Sequence, residues 1–209
     1  MIGKLLHDRT AASAAEFALV LPLLLLFIFG IIDAGRLMWA YNQAEKATQM
    51  GARMAVVATP ISPGVASSYV GVDGLTQGDL ISASEFGVIR CTGSGSGAGT
   101  TASCSCATNP CPTLGTANPV PFRAIVERMK LFLPQVTASN VVVEYTSSGL
   151  GYAGNPNGPD ISPLVTVKIG TPATAVQFTP ITSLLLASVN MPNFTTTLTA
   201  EDLVGSQSN

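Results

Sequence analysis

The chain has 209 residues, and its 10 Lys and Arg against 12 Asp and Glu give a formal net charge of −2 with charged residues at only 11%. The basic residues stand singly along the chain, which excludes the clustered cations that a nucleic-acid partner requires. Beyond an apolar N-terminal segment, residues 60–209 are enough to bury one core.

In chain order, residues 1–11 form a short polar tail, a cytoplasmic tail or leader, with Lys4, His7 and Arg9. Phe17 to Ile32 is then an unbroken apolar run interrupted only by Pro22 and Gly30. Joined through Glu16 to the small residues Ala11 to Ala15 it gives the 22 residues Ala11 to Ile32, which at the helical rise span about 33 Å and match the roughly 30 Å hydrocarbon core of a bilayer. This predicts a single-pass anchor in contact with lipid. A removable signal peptide would need a break after its apolar core, whereas Leu37-Met38-Trp39-Ala40-Tyr41 resumes a helical pattern directly after Asp33-Ala34-Gly35-Arg36. Trp39 and Tyr41 fall where amphipathic rings sit at the outer headgroup level.

Glu16 is the residue that a plain anchor does not require. A carboxylate at the edge of hydrocarbon costs free energy unless it snorkels, protonates or meets a partner charge, so it marks a candidate assembly position together with Phe17 and Pro22. The competing reading places Glu16 in the cytoplasmic headgroups, with Phe17 as the first buried residue. Pro22 removes the backbone hydrogen bond to Ala18 and predicts a mild kink.

Residues 12–59 read as one transmembrane and projecting helix, stopped by Pro60. Leu37, Tyr41, Ala44, Thr48, Gly51 and Ala55 recur at spacings of three and four and predict a narrow stripe packed on the protein's own domain.

The stretch Ala12-Ser13-Ala14-Ala15-Glu16-Phe17-Ala18-Leu19-Val20-Leu21-Pro22-Leu23-Leu24-Leu25-Leu26, followed by Gly30, Asp33-Ala34-Gly35-Arg36 and Tyr41, closely resembles the N-terminal signature of the TadE/TadG-like family. These are pseudopilin-like proteins of the tight adherence (Flp, type IVb) pilus assembly machinery. The resemblance implies an inner-membrane protein whose globular domain faces the periplasm and assists pilus assembly, with pilin-like or Tad assembly proteins as partners. In pilin-like members a prepilin peptidase removes a leader just after a glycine, leaving the glutamate as the fifth residue of the processed chain. Counting back from Glu16 puts Ala12 first in the processed chain and Ala11 before the cut, where this sequence departs from glycine.

The remainder, 60–209, predicts an α+β periplasmic domain: an antiparallel sheet packed on helices and attached to the long N-terminal helix, the general pilin-like plan. Ser67 to Val72 and Leu80 to Ile89 carry short strand-like pieces weakened by Gly71 and Gly87. Residues 91–111 read as a Gly/Ser-rich, Cys-containing loop with too little apolar surface to order itself. Its Cys91, Cys104, Cys106 and Cys111 suit disulfides in an oxidising compartment, which places the domain outside the cytoplasm, since the Lys and Arg count around the span does not decide orientation. Two pairings are natural: Cys91 to Cys104 with Cys106 to Cys111, or Cys91 to Cys106 with Cys104 to Cys111. The third needs a strained Cys104–Cys106 ring. The spacing is irregular for a zinc site.

Phe122 to Leu133 predicts an amphipathic helix between Pro121 and Pro134, with Phe122, Ile125, Val126, Met129, Phe132 and Leu133 on its apolar face. Val136 to Tyr145 and Leu164 to Ile169 alternate as strands of a sheet with one wet face, joined by a turn-rich loop from Gly149 to Pro159. Val176 to Phe178 and Thr195 to Thr199 add strands, and Ile181 to Val189 suggests a short apolar helix.

No catalytic or cofactor-binding set emerges. The single histidine, His7, lies in the N-terminal tail, away from any exported triad, and Gly93 to Gly99 lacks the lysine and hydroxyl residue of a phosphate-binding loop. The expectation is a noncatalytic assembly component without cofactor or metal. The alternative is a membrane-tethered extracytoplasmic ligand- or surface-binding module using Tyr152 to Gly158.

Overall fold

The computed structural model describes residues 9–170, 174–183, 187–200 and 203. The chain divides into two compact units, one made of Met1–Ala40 with Gln177–Val189 and the other of Tyr41–Val176 with Asn190–Asn209.

Helix α1 runs from Arg9 to Val57 without interruption and contains Pro22. Its Ala- and Leu-rich sequence favours the helix throughout. It ends two residues before the expected Thr59, because Pro60 disfavours the helical conformation at the residue preceding it. The last turn closes with Ala58 N–H donating to Met54 C=O at 3.0 Å.

The second unit is built on a five-stranded antiparallel sheet of order β2-β1-β3-β4-β7. The strands are β1 (Val88–Ser94), β2 (Thr101–Thr108), β3 (Val141–Thr146), β4 (Leu164–Ile169) and β7 (Phe194–Thr199). Two short strands, β5 (Gln177–Phe178) and β6 (Val189–Asn190), pair separately. Register places Cys91, Val143, Val167 and Thr196 in one row across the inner face, with Ile89, Tyr145, Val165 and Leu198 beside it. The period of two sends Arg90, Glu144, Thr166 and Thr197 to the opposite face.

Against the inner face lies the part of α1 that belongs to this unit. Ala44, Ala47, Thr48, Gly51, Ala52 and Ala55 are all buried, a face of spacings three and four made of small side chains. A Cβ on Gly51 would come within 2.7 Å of Met129 Sδ and 3.3 Å of Val167 Cγ1, so glycine is what lets the helix backbone approach both neighbours. The buried Thr48 hydroxyl donates to Glu45 C=O at 2.7 Å and accepts from the Thr196 hydroxyl at 3.0 Å. Tyr145 seals the seam: its buried hydroxyl accepts from Ile61 N–H at 3.1 Å, and burial pushes its pKa up to about 12.

The second helix, α2, spans Pro119–Lys130, three residues upstream of the expected Phe122 to Leu133. Asn118 caps it by accepting from Val120 N–H, and Pro121 sits in the first turn, where a missing N–H costs no intrahelical bond. Phe122, Ile125, Val126 and Met129 are buried as the periodicity required.

Several expected elements differ. Ser67 to Val72 is a turn and not a strand. Leu80 makes only an isolated bridge to Tyr152, and the ladder starts at Val88. The stretch expected to be a loop between Cys91 and Cys111 is largely a hairpin of β1 and β2, whose open tip is confined to residues 95–100. Backbone pairing and a cross-strand disulfide supply the order that its side chains do not. Between Ile181 and Val189 the described residues are turn, coil and the start of β6; the rest of the expected apolar helix, Leu184 to Leu186, lies outside the described residues.

Candidate membrane and assembly surface

Along α1 from Ser13, apolar side chains cover the circumference and remain outside any core. Phe17, Leu19, Val20, Leu23, Phe27 and Ile31 are all more than half exposed, Leu19 at 81%. An 18-residue window of this helix is apolar enough to cross a membrane, and none of it is buried within the fold. A core helix of a globular domain would hide one stripe, as α1 itself does from Ala44 onward.

Glu16 is an exposed residue inside this helix, next to exposed Phe17, and Pro22 is exposed without ending the helix. Ala11 and Ala12 lie on the helical backbone.

At the end of the apolar run the sequence reading missed a hub. Asp33 follows Ile32 directly and is only 6% exposed, although Ile31 and Ile32 before it are exposed. Its Oδ1 accepts from Ile181 N–H at 2.7 Å and from Arg36 Nη1 at 2.9 Å. Its Oδ2 accepts from Thr182 N–H at 3.0 Å and the Thr182 hydroxyl at 2.8 Å. The Arg36 guanidinium in turn lies 5.3 Å from the Phe178 ring centroid, in cation–π range. The only sequence signal was a carboxylate at the boundary of an apolar helix with Arg36 three residues on; its other partners, Ile181 and Thr182, are almost 150 residues away along the chain.

Within the second unit, the structure joins Cys91 to Cys104 and Cys106 to Cys111. The first bridge links residues directly opposite each other on β1 and β2. Two further carboxylates there act as structural acceptors. Glu144 on β3 is bound by Arg90 Nε at 2.8 Å and Lys168 Nζ at 2.6 Å, from the strands on either side. Burial pushes its carboxyl up, but the hydrogen bonds and charges of Lys168 and Arg90 more than offset this and hold it below the ordinary value. Asp160 gathers the turn-rich loop: it accepts from the N–H groups of Tyr69, Gly154 and Asn155 and from the Ser68 hydroxyl. Among the described residues, no group of three or more His, Cys, Asp or Glu converges in a way that would hold a metal ion.

Compared with known proteins, residues 11–53 match the TadE-like protein family. No curated protein and no solved structure matches the chain. The matched segment covers the exposed apolar part of α1, Asp33 with Arg36, and most of the small-residue face. Over residues 11–53 the chain is a member of the TadE-like protein family.

Proposed function

We infer that this protein is a noncatalytic, membrane-anchored component that assists assembly of a tight adherence (type IVb) pilus. The observation that carries this reading is the coincidence of the family segment with a helix whose apolar circumference has no covering among the described residues. Residues 1–11 then form the cytoplasmic tail or leader, 12–59 the transmembrane and projecting helix, and 60–209 the periplasmic domain of an inner-membrane protein. The two disulfides support an oxidising location for that domain.

In this reading lipid covers most of the apolar surface, and other pilin-like or Tad assembly helices meet it around Ala12 to Pro22. Glu16 acts as a registration point. Its exposed carboxylate is expensive in hydrocarbon and favours the helix pairing that brings it a cation, with an attraction strengthened by low dielectric. If a leader is removed after Ala11, the new amino group at Ala12 on a neighbouring subunit supplies that cation.

The test is photo-crosslinking from a probe at Leu19 in native membranes, with and without Glu16→Gln. The expected result is loss of cross-linked pilus-assembly partners in Glu16→Gln while the protein stays in the membrane with both disulfides formed. Unchanged cross-linking refutes the role of Glu16, and recovery of the intact protein in the soluble fraction refutes the anchor. Intact mass and N-terminal sequencing of the same material report whether the chain begins at Met1 or Ala12.

A further inference from the structure

We propose that the described residues of the stretch Gln177–Val189, 177–183 and 187–189, form a second lipid contact: an interfacial loop, clamped by Asp33 to the outer end of the membrane helix, that lies in the headgroup layer. This rests on the membrane-anchoring reading above and adds a site far away in sequence from the family segment.

Depth comes first. Asp33 is the residue after the segment Ala11 to Ile32, whose length of about 33 Å matches the hydrocarbon core, so its carboxylate lies at the boundary between acyl chains and headgroups. A backbone that donates directly to that carboxylate lies at the same depth. Ile181 N–H and Thr182 N–H do so at 2.7 and 3.0 Å. The clamp also removes the cost of placing an anionic group there, because four donors satisfy its two oxygens.

The outward chemistry of the loop fits the same layer. Ile181, immediately at the clamp, is 54% exposed, and Val189 at the other end of the segment is 51% exposed. Ser183, Ala187 and Ser188 are exposed as well. This mixture of isolated apolar and hydroxyl side chains suits the interface better than either water or hydrocarbon. The exposed Ile31 and Ile32 of α1 continue the apolar surface up to Asp33, so the bilayer that covers them also covers Ile181. Arg36 completes the site. Its side chain is 46% exposed, and one of its five N–H donors is used by Asp33, leaving a guanidinium edge suited to a lipid phosphate.

The experiment uses the full chain reconstituted in phosphatidylcholine/phosphatidylglycerol vesicles, with the environment-sensitive fluorophore NBD on single introduced cysteines, the native four being held in disulfides. Labels are placed through Leu23→Cys in the apolar run, Ile181→Cys in the loop, and Leu150→Cys on an exposed loop of the second unit. Lipids carrying nitroxide quenchers near the headgroup or deep in the acyl chain report depth. The Leu23→Cys label is expected to be quenched by the deep nitroxide, the Ile181→Cys label by the shallow one with a blue-shifted emission, and the Leu150→Cys label by neither. Adding Asp33→Ala should lower shallow quenching of the Ile181→Cys label to the Leu150→Cys level, while the Leu23→Cys label in the same background stays quenched. An Ile181→Cys label no more quenched than Leu150→Cys, beside a quenched Leu23→Cys, overturns the loop contact and leaves the anchor standing. Shallow quenching that survives Asp33→Ala overturns the clamp. A Leu23→Cys label that is not quenched overturns the anchor itself and this proposal with it.

Discussion

Replacing Asp160 with alanine removes the acceptor on which two loops converge. The carboxylate accepts from Tyr69 N–H at 2.7 Å, Gly154 and Asn155 N–H at 2.9 Å each, and the Ser68 hydroxyl at 3.1 Å. Ser68, Gly154 and Asn155 are not buried, so water replaces the carboxylate for them and each loss costs about 1 kcal/mol. Tyr69 is buried at 1% exposure, and its N–H becomes an orphan donor at a cost of about 1–3 kcal/mol. The combined loss of about 4–6 kcal/mol corresponds to a fall in Tm of about 8–24 °C for a protein of this size. The pH dependence gives a second handle. Burial pushes the Asp160 carboxyl up, but the N–H groups of Gly154, Tyr69 and Asn155 and the Ser68 hydroxyl more than offset it and hold it below the ordinary value. A carboxyl depressed by folding contributes stability that is fully present above its unfolded pKa of about 3.9 and is lost as pH falls through the lower folded value. The difference in Tm between the native protein and Asp160→Ala, followed by near-UV circular dichroism in mild detergent, should therefore be large at neutral pH and shrink on acidification through that window. A neutral-pH difference below about 2 °C, or one unchanged in acid, refutes this account of the loop.

The helix–sheet seam gives a graded test: Gly51→Leu forces side-chain atoms into the space of Met129 and Val167 and should cost about 1–3 kcal/mol or more. Gly51→Ala brings a single Cβ to 2.7 Å from the Met129 Sδ, a clash offset in part by about 1 kcal/mol of helix propensity, and should lose clearly less than Gly51→Leu; equal melting of the two variants would contradict the packing. Removing the Cys91–Cys104 bridge as a double alanine variant frees a chain separation of 13 and should cost about 3 kcal/mol. Removing Cys106–Cys111, with a separation of 5, should cost about 2 kcal/mol, and thermal melts showing the reverse order would count against the hairpin assignment.

Patterns that repeat along one element were legible before any tertiary information. The apolar run to Ile32, the three-and-four spacing of Ala44, Thr48, Gly51 and Ala55, and the alternation in β3 and β4 each follow from the geometry of a single helix or strand. Burial of that helical face and of Val165, Val167 and Ile169 follows from the same periodicities. The β1–β2 hairpin was not legible, because its Gly, Ser and Thr side chains carry little apolar signal and its order comes from pairing with β3 and from the Cys91–Cys104 bridge. The limits of α2 shifted because Asn118 offers a cap upstream of the apolar pattern, and a cap can start a helix before its buried face begins.

The sequence by itself determined a helix long and apolar enough to cross a membrane, the TadE-like match of residues 11–53 and the α+β class, since each depends on composition and spacing among near neighbours. Only the tertiary structure decided which cysteines pair, that Glu144 joins Arg90 to Lys168 across three strands, and that Asp33 holds Ile181 and Thr182. Those partners meet through chain reversals and strand register, and a carboxylate in a linear sequence carries no mark of the distant N–H group or cation that will satisfy it.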